Sequence, residues 1–175
     1  MELGPLPRDA NDPARQRMMD LMASLTIPMI MRDTTALIDF IDTQDAASKG
    51  AMGAVGYCMS GQFAINAAAQ FPDRIAAAAS IYGVRLVTDQ SDSPHLTARK
   101  ARAELYFGCA ETDHYAPMEM VEALTASLAD LPLAEVEIYP GVEHGFAFPQ
   151  RAVYKKESAE RHWERLFAVF HRRLE

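Results

Sequence analysis

The chain has 175 residues, 49% hydrophobic and 23% charged, with 17 basic against 24 acidic side chains for a formal net charge of −7. That length suits one domain with a sizeable core, and that hydrophobic share excludes a wholly disordered chain. The deficit of Lys and Arg argues against a general nucleic-acid binder, which needs clustered cations to neutralise phosphates.

No apolar run approaches the ~18 residues a membrane helix requires. The opening Met1-Glu2-Leu3-Gly4-Pro5-Leu6-Pro7-Arg8 has neither the basic start nor the apolar core of a signal peptide. Two cysteines, Cys58 and Cys109, make no disulfide framework or metal cluster. These features predict a soluble, acidic, cytoplasmic domain with no membrane partner.

Residues 1–12 hold two prolines, a glycine and no apolar period, and read as an arm or loop ahead of a single domain over 13–175. Asp12-Pro13 reads as an N-cap followed by proline at the first helical position. Met18, Leu21, Met22 and Leu25 then fall on one helical face, Pro28 interrupts, and Ile30, Thr34, Leu37, Ile38 and Ile41 resume a helical stripe. Further on, four β-prone runs lie near 51–56, 75–82, 103–108 and 134–139. Helical patterns follow the first, third and fourth at 62–71, 117–131 and 152–174, the last with Trp163, Leu166, Phe167, Phe170 and Leu174 as its apolar stripe. Strands alternating with helices of this length imply crossover units and a mostly parallel sheet, an α/β fold.

The most informative stretch is Gly56-Tyr57-Cys58-Met59-Ser60-Gly61, between the first strand and an alanine-rich helix. A nucleophile on a tight strand-to-helix turn needs small neighbours, because the helix passes close to the sheet. The helix N-terminus favours a thiolate and a developing oxyanion. The G-x-nucleophile-x-G pattern is met imperfectly, since Ser60 stands where the second glycine belongs. Asp113 follows the third strand and His144 the fourth, so all three residues fall just past C-terminal strand ends, where open α/β sheets place their ligands. The chain order of nucleophile, acid and base is that of the α/β-hydrolases. In those roles His144 accepts the thiol proton and Asp113 fixes the imidazole tautomer.

Together, Gly56–Gly61, Asp113-His114-Tyr115-Ala116-Pro117 and Pro140-Gly141-Val142-Glu143-His144-Gly145-Phe146 resemble the motifs of the dienelactone hydrolase family. The resemblance runs from about residue 13 to the end. It implies a three-layer α/β-hydrolase fold and a cysteine hydrolase of carboxylic esters or lactones, with Cys58, Asp113 and His144 as its triad. It also implies the backbone N–H of Met59 as an oxyanion donor, a thioester acyl-enzyme and no cofactor. Family members begin with several strands before the helices seen here, so the expectation is an N-terminally truncated sheet of about four strands. A catalytically impaired remnant acting as a binding or assembly module is the alternative. After His144, Gly145-Phe146-Ala147-Phe148 lacks the arginine that dienelactone hydrolases use for the substrate carboxylate, which points to an apolar or differently charged substrate.

Tyr57, Tyr115 and Phe146 flank these residues and are candidates to line the substrate pocket. Cys109, two strands from Cys58, is ~9.6 Å away by strand spacing, beyond disulfide reach, and reads as core. Glu111, Asp113 and His114 lack the ligand spacing of known metal sites. Glu143 is expected to be exposed, and so are His162 and His171 on the final helix. With its neighbours missing, the strand at 51–56 would present an unprotected edge, which predicts a homo-oligomer or a partner that covers it.

Overall fold

The computed structural model describes residue 9 and residues 11–175; the proposed arm at 1–12 therefore lies largely outside the described residues. Asp12 does cap the first helix, α1 (Pro13–Ser24), by accepting from the Ala14 N–H at 2.8 Å. Thr26 caps α2 (Ile27–Thr43), with Pro28 in its first turn, where the missing N–H costs nothing. Pro28 thus starts the second helix rather than breaking a longer one.

Beyond α2 the chain enters β1 (Met52–Tyr57), then a single 3-10 turn at Cys58–Ser60 and α3 (Gly61–Gln70). The strand β2 (Ile75–Ile81) leads through a loop and the short α4 (Pro94–Thr97) to β3 (Glu104–Thr112). The helix α5 (Met118–Leu128), β4 (Ala134–Glu143) and the closing α6 (Lys156–Leu174) complete the fold. The four strands are parallel in the order β1-β2-β3-β4. Right-handed crossovers between neighbouring parallel strands put the connecting helices on one face.

The pleat divides the core accordingly. Leu105, Phe107 and Cys109 of β3 point to the face where α3 and α5 bring Phe63, Ile65, Val121 and Leu124. Tyr106 and Ala110 point to the opposite face, with Ile81 and Tyr139, where Leu166 and Val169 of α6 cover them. Helices on both faces make three layers. Glu104 at the start of β3 ion-pairs with Arg172 and Arg173, pinning the C-terminal end of α6 across the sheet.

Two helices bury only part of the expected stripe, Ile38 on α2 and Leu166 on α6, together with other residues. Met31 and Ile38 are the buried residues of α2, while Leu37 is 56% exposed. On α6 the buried positions are Ala159, His162, Leu166 and Val169, and Trp163 and Phe167 lie outside, stacked on each other at 5.7 Å. His162 is 0% exposed, which corrects its assignment to solvent; His171 is exposed as expected. β1 is an edge strand, and Val55 remains exposed on it.

Candidate active site

Cys58 is the first residue after β1, Asp113 the first after β3 and His144 the first after β4. Parallel strands of matched register bring their C-terminal ends to one rim, with Thr112 beside Glu143. Three residues scattered over 87 positions of sequence therefore converge without any long loop.

Cys58 has φ 55, in the left-handed region that L side chains avoid. Its surroundings hold it there. The Tyr57 N–H donates to Ser60 Oγ at 2.9 Å, and Ser60 Oγ donates back to the Tyr57 carbonyl at 2.8 Å. The Val84 N–H donates to the Cys58 carbonyl at 3.2 Å. Ser60, which spoils the expected motif, thus staples the turn through its hydroxyl. Gly56 and Gly61 supply space: a Cβ on Gly56 would sit 2.1 Å from the Ser60 carbonyl oxygen, and one on Gly61 2.3 Å from Ser80 Oγ. Gly61 lies against the end of β2 and the Gly83 backbone beyond it.

Asp113 is buried, with its side chain 0% exposed. Its Oδ1 accepts from the Tyr115 N–H at 2.9 Å and the Ala116 N–H at 3.2 Å, which leaves Oδ2 for His144 Nδ1 at 2.6 Å. With Nδ1 engaged by Asp113, Nε2 is left over, and His144 and Cys58 each shift the other's titration. Burial alone would push the Cys58 thiol up, but the hydrogen bond and charge of His144, with the Met59 N–H aimed at the sulfur, bring it below the ordinary thiol range. Burial likewise opposes a charged His144, yet Asp113 and Cys58 outweigh it and raise the imidazole to about 9. The pair is thus set towards thiolate and imidazolium. Cys109 is the contrast: deep burial and the Asp113 charge push it up to about 12.

The three candidate lining residues separate. Tyr115 is 57% exposed, its ring 5.0 Å from the His144 ring. Tyr57 is half-buried, with its hydroxyl 3.1 Å from His162 Nε2. Phe146 is 0% exposed and stacked on Tyr139 at 5.0 Å, so its ring belongs to the core and not to an open surface. Sequence reasoning missed two neighbours. Tyr82, at φ 37, sets its ring edge 5.0 Å from His144, and Phe148 packs 5.2 Å from Tyr57. Both follow strand ends, which is the signal that could have found them. Glu143 is exposed. Among the described residues no group of His, Cys, Asp and Glu gathers as a metal site, and no single helix is long and apolar enough to cross a membrane. A groove of about 660 Å³ lies between α2 and α3, lined by Met31, Arg32, Asn66 and Lys100 and by none of the candidate residues.

The α/β sheet thus carries a thiol, an imidazole and a carboxylate on one rim. The family model described as "Dienelactone hydrolase family" matches residues 6–174, and the chain belongs to that family. Among curated proteins it is 28% identical over 151 residues to a Synechocystis protein assigned as a carboxymethylenebutenolidase, covering 83% of this chain and 60% of that one. It is 26% identical over 137 residues to Protein usf of Aquifex pyrophilus, covering 77% of this chain and 57% of that one. The chain thus spans about 60% of the length of the curated relatives it matches. A crystal structure assigned as a dienelactone hydrolase from Klebsiella pneumoniae superposes with a TM-score of 0.76 at 24% identity, over 85% of this chain and 63% of that one. A carboxylesterase of Lactobacillus plantarum gives 0.61 at 14% identity, over 81% and 67% of the two chains. At these identities the likeness speaks to the fold.

Proposed function

We propose that Cys58, His144 and Asp113 hydrolyse a carboxylic ester or lactone through a thioester on Cys58. The observation that carries this reading is the Asp113 Oδ2–His144 Nδ1 contact at 2.6 Å on the rim where three strands end, with His144 lowering the pKa of the Cys58 thiol that heads the same rim. In the reaction, the thiolate attacks the acyl carbon and the carbonyl oxygen gains negative charge facing the Met59 N–H. Collapse of the adduct breaks the C–O bond while the His144 imidazolium gives its proton to the departing alkoxide. The neutral His144 then takes a proton from water, whose oxygen attacks the thioester; the acid leaves and the thiolate–imidazolium pair returns. Asp113 holds the Nδ1–H tautomer throughout. Tyr115, exposed beside His144, is placed to meet the substrate, and a small-molecule ester is its chemical class.

A second reading, a binding or assembly module, draws on the exposed Val55, Trp163 and Phe167. Iodoacetamide labelling with peptide mapping separates the two. Hydrolysis requires Cys58 to react far faster than Cys109, and requires Cys58→Ala to abolish turnover of p-nitrophenyl acetate. Equal labelling of the two thiols removes the catalytic reading.

A further inference from the structure

The reaction proposed above makes no use of His162, a histidine of α6 with 0% exposure. Its Nδ1 hydrogen-bonds to the Ala159 carbonyl, so Nδ1 carries the proton and Nε2 is left as an acceptor. The Tyr57 hydroxyl donates to that Nε2 at 3.1 Å. Burial holds His162 below its ordinary pKa, against smaller upward effects of the Ala159 carbonyl and the Glu160 charge, so the ring stays neutral at neutral pH. A neutral, fully buried histidine facing a single phenol cannot act as a base on solvent or substrate. It can fix where that phenol sits.

Tyr57 is the residue before the strained Cys58. Ser60 ties its backbone, His162 ties its hydroxyl, and its ring lies between Tyr82 at 5.8 Å and Phe148 at 5.2 Å. Tyr82 in turn sets its edge against His144. The left-handed backbone of Cys58 persists only where its neighbours over-determine it, and the Tyr57 side chain is a lever on that backbone.

We propose that His162 is a positioning residue: by gripping the Tyr57 hydroxyl from within α6, it keeps the Cys58 turn left-handed and the sulfur on His144. The inference rests on Cys58 being the nucleophile. It is tested on the full chain by the rate of Cys58 alkylation with iodoacetamide as a function of pH, alongside thermal melting. The titratable groups facing Cys58 are His144, Asp113 and Tyr82, and none of them is altered.

Tyr57→Phe should slow alkylation at neutral pH about three- to tenfold, the factor one buried hydrogen bond supports, and shift the midpoint upward towards an ordinary thiol. His162→Gln, whose amide can both donate to the Ala159 carbonyl and accept from Tyr57, should keep the wild-type profile. Tyr57→Phe combined with His162→Phe should be no slower than the slower single variant, as expected of partners in one contact. A Tyr57→Phe protein with unmoved rate and midpoint overturns the inference, whether or not its melting temperature falls, because a structural role alone moves only the melt. If Cys58 of the wild type reacts no faster than Cys109, the reading of Cys58 falls and this inference with it. A reactive wild-type Cys58 with an indifferent Tyr57→Phe removes the inference alone.

Discussion

A single methyl group on Gly56 should damage the turn that carries Cys58 more than any other small substitution along β1. The Cβ of Gly56→Ala would lie 2.1 Å from the Ser60 carbonyl oxygen, 2.4 Å from its carbonyl carbon and 2.7 Å from the Gly61 nitrogen. All three are backbone atoms, so no side chain can swing aside. The turn must recede by more than an ångström, taking with it the Ser60 hydroxyl that staples Tyr57 and the Met59 N–H that faces the sulfur. Overpacking costs ~1–3 kcal/mol, and an all-backbone obstruction belongs at about 3 kcal/mol. For a chain of this size that lowers the melting temperature by roughly 6–12 °C. Gly141→Ala separates space from conformation: its φ is +67 but nothing lies within 4 Å of the added Cβ. It should cost only the left-handed penalty of about 1–2 kcal/mol and leave Cys58 untouched. Thermal melts paired with iodoacetamide rates on Cys58 read both effects. A Gly56→Ala protein that melts with the wild type and alkylates at the wild-type rate refutes the reasoning.

Hydrolysis should follow a bell in pH. It rises as Cys58 ionises below the ordinary thiol range and falls through about 9 as His144 loses the proton it must give the leaving group; initial rates across buffers from acid to alkaline check both limbs. Asp113→Asn should cut turnover by about 10²–10⁴ while leaving the strands intact, since the imidazole loses its tautomer and its counter-charge, and steady-state kinetics with a circular dichroism control measures it. Cys109, pushed up to about 12 in the core, should label only when the chain is unfolded, which mapping with and without denaturant will show. Among the described residues β1 is an edge strand, and Val55, Trp163 and Phe167 are exposed, so the chain should self-associate; a stable monomer by size-exclusion chromatography with light scattering contradicts this.

What the sequence reveals best is what local pattern determines. The β-prone run at 134–139 alternates and the four strands start within a residue of their expected places, although β3 runs on through Gly108 to Thr112 and β4 through Pro140-Gly141 to Glu143. Those extensions carry β3 and β4 up to Asp113 and His144, so both residues sit directly at strand ends, as Cys58 does. The buried face of α6 is not set by local pattern. Of its apolar stripe at 163, 166, 167, 170 and 174 the sheet buries Leu166 and packs Phe170, but it leaves Trp163 and Phe167 outside and takes a histidine instead. Periodicity identifies a helix but cannot choose between two faces when one carries an apparent polar residue whose partner lies 105 positions away. Phe146 illustrates the opposite error: proximity to His144 in sequence suggests the pocket, while the turn after β4 sends its ring into the core beside Tyr139. Ser60 breaks the expected glycine spacing, and only the folded turn shows that its hydroxyl replaces what the motif seemed to lose.

The central claim is that Cys58 accepts the acyl group. Acid quenching of the chain during turnover of p-nitrophenyl acetate, followed by peptide mass spectrometry, tests it most directly. The account predicts an acetyl group on the Cys58 peptide, absent from Cys58→Ala and accumulating in proportion to the nitrophenol released in the first turnover. Acetyl found on another residue, or nitrophenol release that Cys58→Ala leaves unchanged, contradicts it.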